Sequence, residues 1–193
     1  LFTKRVPGSF NHMSDQNYGW WSRPGGGIYI LRGFKTGAPT TRNAGSAFTV
    51  TVNAVDANWN LVNTVADLVG LATTDLNATT PASAALVNGT TSLFVTFKTA
   101  ASATLTASDV TDAGKTANTS PTITVNPGAF AKLQLLVPGE TAAPGTASGK
   151  TGAPSAQTAG VALTVTVNAV DANWNFVNTI LDTVGITSSD ANA

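Results

Sequence analysis

Hydrophobic and polar residues alternate along most of the chain. Between residues 48 and 54, apolar side chains occupy every second position, with threonine or asparagine between them. The same alternation recurs at residues 93–97, 105–107 and 123–125. This period is typical of a half-buried β-strand, and no segment of helical length shows a period of 3.6. The pattern therefore predicts an all-β fold.

Turn signals separate these short strands at spacings near ten residues, which is typical of an antiparallel β-sandwich. Asn88-Gly89 is the strongest of these signals and predicts a hairpin joining residues 84–87 to residues 91–97. The apolar positions of the predicted strands should form one core. Its predicted members are Phe48, Val50, Val52, Leu93, Val95, Phe97, Leu105, Ile123 and Val125.

The chain contains a long internal repeat. Residues 37–78 and 152–193 align without a gap at an offset of 115, and 27 of the 42 pairs are identical. This period exceeds the roughly 20 to 50 residues of a solenoid unit and suits a whole sandwich domain of about 100 residues. We predict three regions: an atypical arm at 1–27, a first domain at 28–128, and the first half of a second domain at 129–193.

The repeated segment resembles a known family. Residues 48–75 open with Phe-Thr-Val-Thr-Val-Asn-Ala-Val-Asp-Ala-Asn-Trp-Asn and end with Ala-Thr-Thr-Asp, and the second copy ends with Thr187-Ser-Ser-Asp190. These motifs resemble the bacterial immunoglobulin-like tandem repeats of surface adhesins and fibre proteins, the invasin and adhesin type. Trp59 and Trp174 stand where that family has a turn glycine. The resemblance implies tandem immunoglobulin-like sandwiches, the second incomplete, in an extracellular or cell-surface protein.

Composition narrows the function classes. Ten basic and ten acidic residues give no net charge, and only 10% of residues are charged, against roughly 25% in an average domain. Neutrality argues against nucleic acid as a partner. No apolar run is long enough for a transmembrane segment, and the absence of cysteine excludes disulfides and thiolate metal sites.

Residues 1–36 differ from the rest of the chain. They carry a net charge of +4 and seven of the fourteen aromatic residues. Tyr18, Trp20 and Trp21 are candidate interface residues, because tryptophan and tyrosine are enriched among interface anchors. The arm is interpreted as a leader or remnant of an unlike domain, as a segment that docks on a neighbouring subunit, or as an engineered scar.

Three oxygen-bearing side chains occur at alternate positions in both copies of the repeat, and this spacing resembles the first half of a calcium loop. The six weak calcium candidates are Asp56, Asn58, Asn60, Asp171, Asn173 and Asn175. Asx side chains in a β-turn explain the same letters without an ion, and this interpretation is favoured. Four further aspartates could add ligands if the fold brings them close: Asp67, Asp75, Asp182 and Asp190. No other cofactor is predicted.

Two tryptophans and one histidine complete the candidate residues. Trp59 and Trp174 are either core residues or exposed anchors for an interface or a glycan. His12 is the only histidine, and it lies in the arm beside Ser14 and Asp15. A catalytic triad needs its base oriented inside a formed pocket, so we predict that the protein is not an enzyme.

Two functions remain open. The first is structural: a subunit or segment of a cell-surface or secreted fibre, whose partners are copies of itself or adjacent repeats of a longer chain. The second repeat stops where its closing strands should begin, so it is expected to continue in a longer array or to be completed by strands from a neighbouring chain. The alternative is an adhesin that recognises glycans or a host protein through loops or the aromatic arm.

Overall fold

The computed structural model describes the backbone of residues 27–30 and the whole of residues 39–190. Every regular element in these ranges is a β-strand, which confirms the all-β prediction. The strands are β1 (Gly27–Ile30), β2 (Arg42–Asn43), β3 (Ala47–Val55), β4 (Leu68–Thr73), β5 (Ala84–Ala85), β6 (Thr90–Thr96), β7 (Ser102–Ala103), β8 (Leu105–Asp109), β9 (Asn118–Thr119), β10 (Ile123–Asn126), β11 (Lys132–Leu136), β12 (Glu140–Ala142), β13 (Lys150–Gly152) and β14 (Thr166–Val170). The same ranges contain no helix long and apolar enough to cross a membrane.

The first repeat is a β-sandwich. One sheet has the order β1-β3-β6 and the facing sheet has the order β5-β4-β8-β9, with antiparallel pairing throughout both. A small third sheet, β2-β10-β7, closes one side and contains the parallel pair β2 and β10. Both large sheets contribute side chains to a single hydrophobic core. That shared core fixes how the two sheets face each other.

The period-two pattern explains the core. Along β3 the side chains of Val50, Val52 and Ala54 are buried, and Thr51 and Asn53 between them are only half-buried. The predicted core is confirmed: eight of the nine residues belong to the buried cluster, and the ninth, Phe48, packs against it half-buried. The rings of Phe48 and Phe97 have centroids 5.2 Å apart. Alternation on a pleated strand thus locates this core without further information.

The predicted hairpin at Asn88-Gly89 is correct as a turn and wrong in its extent. Both residues have positive φ, 52° and 74°, as a type I′ turn requires. However, β5 pairs with β4, and only the bridge between Val87 and Thr90 joins the two arms of the turn. The chain crosses between the two sheets here, so the arms of the turn enter different sheets.

The second repeat opens in the same register as the first. Ile28 pairs with Ala54 in β1 and β3, and Leu133 pairs with Ala169, the copy of Ala54, in β11 and β14. The first pair lies 26 residues apart along the chain and the second pair 36 residues apart. The longer connection in the second repeat contains a hairpin formed by β12 and β13. The predicted domain boundaries remain predictions, and residues 1–26, nearly all of the predicted arm, lie outside the described residues.

One face of the second repeat is uncovered. Val69 is 0% exposed in the first repeat, whereas its copy Val184 is 39% exposed. In the first repeat, β6, β8 and β10 cover this face, and they come from a part of the repeat that has no copy within residues 152–193. Exposed apolar side chains of the second repeat include Leu133, Leu135, Val161, Leu163, Phe176, Leu181, Val184 and Ile186.

Candidate functional site at the repeat junction

The segment Asp-Ala-Asn-Trp-Asn, which is identical in the two repeats, forms the same tight loop in both. Asp56 Oδ1 accepts hydrogen bonds from the backbone N–H of Asn58 at 2.8 Å and of Asn60 at 2.9 Å, and Asn60 Nδ2 donates to Asp56 Oδ2 at 2.9 Å. In the second repeat the three corresponding distances around Asp171 are 2.8, 2.9 and 2.8 Å. The carboxylate therefore organises its own turn, as Asx residues do. We call residues 56–60 the first loop and residues 171–175 the second loop.

Tryptophan occupies a strained position in each loop. Trp59 and Trp174 both have φ of 68°, in the left-handed region that costs a non-glycine residue about 1 kcal/mol or more. Both tryptophans therefore adopt a backbone conformation that glycine adopts more readily. Trp174 packs on the backbone of Gly149, where any side chain would collide with the indole ring.

Further contacts hold the Trp174 side chain. Lys132 Nζ lies 3.4 Å from the centroid of its ring, and its Nε1 donates to the Ala147 carbonyl at 3.2 Å. Gly149 and the Lys132 ammonium thus both contact the indole, which is half-buried. Trp59, its copy, is half-buried. A role for either tryptophan as a partner anchor remains a prediction.

Hydrogen bonding also fixes the charge state of the first loop. The side chain and the backbone N–H of Asn60 lower the pKa of Asp56 below its usual value of 3.8. Asp56 therefore stays an ionised acceptor at neutral pH. The carboxylate oxygens of Asp56 and Asp171 already accept N–H groups, and Asn60 and Asn175 present their NH₂ groups to these carboxylates.

The calcium hypothesis remains a prediction, which excess chelator tests. The four additional aspartates do not join the loops in one cluster. Asp67 lies beside Asp109, and burial together with that neighbouring carboxylate raises the pKa of Asp67. Within the described ranges, no three acidic or histidine side chains converge in a way that could hold a metal. Turn chemistry alone predicts that chelator leaves the melting temperature unchanged, and a fall would indicate a structural ion.

The second loop docks on the end of the first repeat. Asp171 Oδ2 accepts a hydrogen bond from Gly128 N at 2.7 Å. Asn175 Oδ1 accepts from Ala100 N at 2.7 Å, and Asn175 Nδ2 donates to the Lys98 carbonyl at 2.9 Å. Asp171 and Asn175 are each only 1% exposed. Two side chains of one repeat thus satisfy three backbone groups of the other.

The corresponding side chains of the first loop are not enclosed in this way. Asp56 is half-buried, and Asn58 and Asn60 are exposed. The two loops have the same letters and the same internal bonds, so the difference in burial comes from what each loop contacts. Asp171 and Asn175 are buried because the second loop lies against the first repeat, and not because their sequence differs from that of the first loop.

Asp75 prepares the surface that the second loop contacts. Its carboxylate accepts hydrogen bonds from Lys98 N at 2.7 Å and from Thr99 N at 3.0 Å, and from the Thr99 hydroxyl at 2.8 Å. Burial alone would raise the pKa of Asp75, but the hydrogen bonds from Thr99 and Lys98 outweigh it, so the pKa is lowered from 3.8. An ionised Asp75 therefore holds the segment whose Lys98 carbonyl and Ala100 N–H meet Asn175.

A second contact links the hairpin of the second repeat to the first repeat. Asn77 Nδ2 donates to Thr99 Oγ1 at 3.1 Å and to the Pro144 carbonyl at 3.4 Å. Gly145, next to Pro144, has φ of 80°, and a Cβ there would collide with the Thr99 hydroxyl. Glycine is required here because the hairpin approaches the first repeat so closely.

The structure brings some of the predicted site residues to this junction and not others. Asp171, Asn173, Trp174 and Asn175 lie in the second loop, which contacts the first repeat, whereas Tyr18, Trp20 and Trp21 lie outside the described residues. Asp182 is exposed. Sequence reasoning missed the role of Asp75 and the backbone groups at 98, 100 and 128. The only signal for Asp75 was the shared ending of the two copies.

That shared ending has a local structural cause. The Thr73 hydroxyl accepts the backbone N–H of Asp75 at 3.1 Å, and the Ser188 hydroxyl accepts that of Asp190, the copy of Asp75, at 3.0 Å. Threonine or serine two positions before aspartate therefore shapes the same turn in both repeats.

No protein-family model and no curated protein matches the sequence. Among solved structures, the chain is similar to surface layer protein SbsC domains 1–6, at 19% identity and a TM-score of 0.38, over 85% of this chain and 18% of that one. It is similar to SbsC domains 5–6 at 19% identity and a TM-score of 0.36, over 77% and 64% of the two chains. The beta-glucuronidase of Parabacteroides merdae gives 9% identity and a TM-score of 0.37, over 55% of this chain and 13% of the enzyme. At these values the likenesses identify no family.

Proposed function

We propose that the chain is a structural component of an extracellular, cell-surface fibre or layer, built from immunoglobulin-like sandwiches docked end to end. The observation that carries this proposal is the buried docking of the second loop on the first repeat. A flexible linker would leave Asp171 and Asn175 in water. Instead their polar atoms are paired with backbone groups across the junction.

The direction of the contact supports an array. The first loop follows the end of β3, and residues 98–100 follow the end of β6, which runs antiparallel to β3. The two sites therefore lie at opposite ends of the first repeat, about 27 Å apart along a nine-residue strand at ~3.4 Å per residue. A contact between one loop and the opposite end of the next unit is head-to-tail, and such contacts extend linearly.

Polar groups at the junction favour one orientation. Hydrogen bonds are directional, so three bonds to fixed backbone atoms select a single arrangement where an apolar patch would allow several. The near-identity of the repeats supports the same role, since a spacer needs copies of one rigid unit. The carboxylates of Asp56, Asp75 and Asp171 are all engaged in holding turns, which supports a non-enzymatic function.

The uncovered face of the second repeat fits the same proposal. In the first repeat the equivalent face is covered by strands with the sequences of β6, β8 and β10. Strands of that kind, from the same polypeptide or from a neighbouring chain, would complete the second sandwich. The denatured mass of the native protein separates the two sources: 19.5 kDa requires a neighbouring chain, and a larger mass indicates a longer array.

The proposed function is tested by the same substitution in the two copies. Asn175→Ala removes two hydrogen bonds across the junction and leaves Ala100 N–H and the Lys98 carbonyl unpaired, at a cost of about 2 kcal/mol to docking. Nuclear magnetic resonance relaxation should then show the two repeats tumbling more independently. Asn60→Ala removes only the bond from Asn60 Nδ2 to Asp56 Oδ2, within its own loop, and should leave the tumbling unchanged.

Equal behaviour of the two variants would contradict the array proposal. Retention of the unmodified protein on glycan, without any self-association, would instead favour the adhesin alternative.

A further inference from the structure

The first loop has the bonding capacity of the second loop but not its partners. Three groups of the second loop form hydrogen bonds with the first repeat. They are Asp171 Oδ2, Asn175 Oδ1 and the second N–H of Asn175 Nδ2. In the first repeat, the described hydrogen bonds of Asp56 and Asn60 all lie within the loop itself. The corresponding groups of the first loop are Asp56 Oδ2, Asn60 Oδ1 and Asn60 Nδ2. The same internal bonds hold them, but no hydrogen bond from them to another part of the chain is described.

We propose that the first loop is a docking site for the end of another repeat of this same kind. The inference rests on the proposed function, because it extends the observed junction to a unit outside the chain. The partner must present a carbonyl and an N–H two residues apart, as Lys98 and Ala100 do. It must also present a third N–H on an adjoining loop, as Gly128 does.

Sequence and charge both match this partner. The twelve residues from Thr49 to Asn60 recur unchanged from Thr164 to Asn175, so the strand that carries the loop is the same. The groups contacted on the partner are backbone groups, which every repeat with this turn geometry supplies. Asp56 remains ionised at neutral pH, and an ionised carboxylate is a stronger acceptor for an N–H than a neutral one.

The end of the repeat that receives a loop also has room for it at Gly45. The side-chain amide of Asn173 lies 2.7 Å from where a Cβ on Gly45 would stand, so a side chain at that position would force this amide to move. Gly45 has φ of 83°, which independently favours glycine there. A repeat with this glycine leaves room for Asn58 of the first loop, the copy of Asn173.

Docking on the first loop should be weaker than the observed junction. The connection between Ile28 and Ala54 is ten residues shorter than the connection between Leu133 and Ala169, which carries the hairpin bonded to Asn77 through Pro144. Docking on the first loop would therefore have in common with the observed junction the three hydrogen bonds that Asp171 and Asn175 make there. A covalent trap is the appropriate test, and the absence of cysteine from the chain makes engineered disulfides unambiguous.

The trap is calibrated on the observed junction. Ala100→Cys with Asn175→Cys in the full chain should form an intrachain disulfide on mild oxidation, because Asn175 Oδ1 lies 2.7 Å from Ala100 N. The test chain carries Ala100→Cys and Asn60→Cys, with Asp171→Ala and Asn175→Ala to free the end of the first repeat. Its two cysteines lie at opposite ends of one repeat and cannot pair within a chain.

The proposal predicts disulfide-linked multimers of the test chain. They should exceed, by about tenfold, those of a control in which Phe94→Cys, at a 68% exposed position on β6, replaces Asn60→Cys. The hydrophobic core cluster of the first repeat includes neither Asp171 nor Asn175, and an unchanged near-ultraviolet dichroism of that repeat verifies that it stays folded. Restoring Asp171 and Asn175 should reduce the multimers, because the second loop then competes for the same end.

The outcomes separate the two proposals. If the calibration pair crosslinks but Asn60→Cys traps no more than Phe94→Cys, the first loop is not a docking site, and the array proposal is unaffected. If the calibration pair itself fails to crosslink, the junction is wrong and both proposals fall.

Discussion

Substituting Val69 by aspartate will unfold the first repeat. Val69 is completely buried in the middle of the sandwich, on β4, where it belongs to the single core shared by both sheets. The substitution removes apolar burial and places a carboxylate where no partner can solvate it. We expect a loss of at least about 5 kcal/mol, as large as the whole stability of a small domain. Loss of near-ultraviolet dichroism and of protease resistance measures it.

The second copy supplies the control for this prediction. Val184 is the same residue at the same repeat position, but 39% of it is exposed, because no described strand covers it. Val184→Asp should change the free energy of unfolding by less than about 0.5 kcal/mol. Equal damage from the two substitutions would show that the second repeat has a closed core in the 193-residue chain, against the structure.

Removing the carboxylate of Asp75 should have the next largest effect. Asp75 is 7% exposed, and it accepts hydrogen bonds from Lys98 N, Thr99 N and the Thr99 hydroxyl. Asp75→Ala leaves these donors without a partner, and we expect a loss of about 3 kcal/mol in the free energy of unfolding. Asp112→Ala is the matched control, since that exposed carboxylate also holds a turn, through Gly114 N at 2.9 Å. Urea titration compares the two variants, and an equal effect would contradict the role given to Asp75.

The pH dependence of the Asp75 contribution has a defined sign. Its pKa is lowered in the folded protein, so folding favours the ionised form. The stabilisation is therefore complete above the ordinary aspartate value of 3.8 and is lost as the pH falls through the folded value. The difference in stability between the protein and Asp75→Asn should be constant near neutral pH and shrink below about pH 4. A difference that grows on acidification would contradict this assignment.

Much of the fold could be predicted because strands carry their own signal. The period-two alternation located β3, β6, β8 and β10 and the core between them, since burial on a pleated strand depends on local sequence. The extent of the hairpin at Asn88-Gly89 could not be predicted in the same way. The turn type is a local property of two residues, but the sheet that each arm joins depends on distant strands.

The junction could not be predicted for a different physical reason. Asp171 and Asn175 contact backbone N–H and carbonyl groups. Because nearly every residue has both groups, no particular residue type in the sequence identifies the partner of the contact. The identical letters of Asp56 and Asn60 remain outside it, which shows that the motif encodes the turn and that the neighbouring repeat decides its use. Likewise, the packing of the Trp174 ring depends on Gly149 and Lys132, which lie far away in the sequence.

The central claim is that consecutive repeats dock through the side chains of the second loop, and native-state amide hydrogen exchange tests it most directly. The N–H groups of Ala100 and Gly128 belong to the first repeat, but their acceptors are Asn175 Oδ1 and Asp171 Oδ2 in the second. Both amides should therefore exchange slowly in the intact chain, and Asn175→Ala should release Ala100 in particular. Exchange of both amides at the rate of an unstructured peptide in the intact chain would contradict the docking.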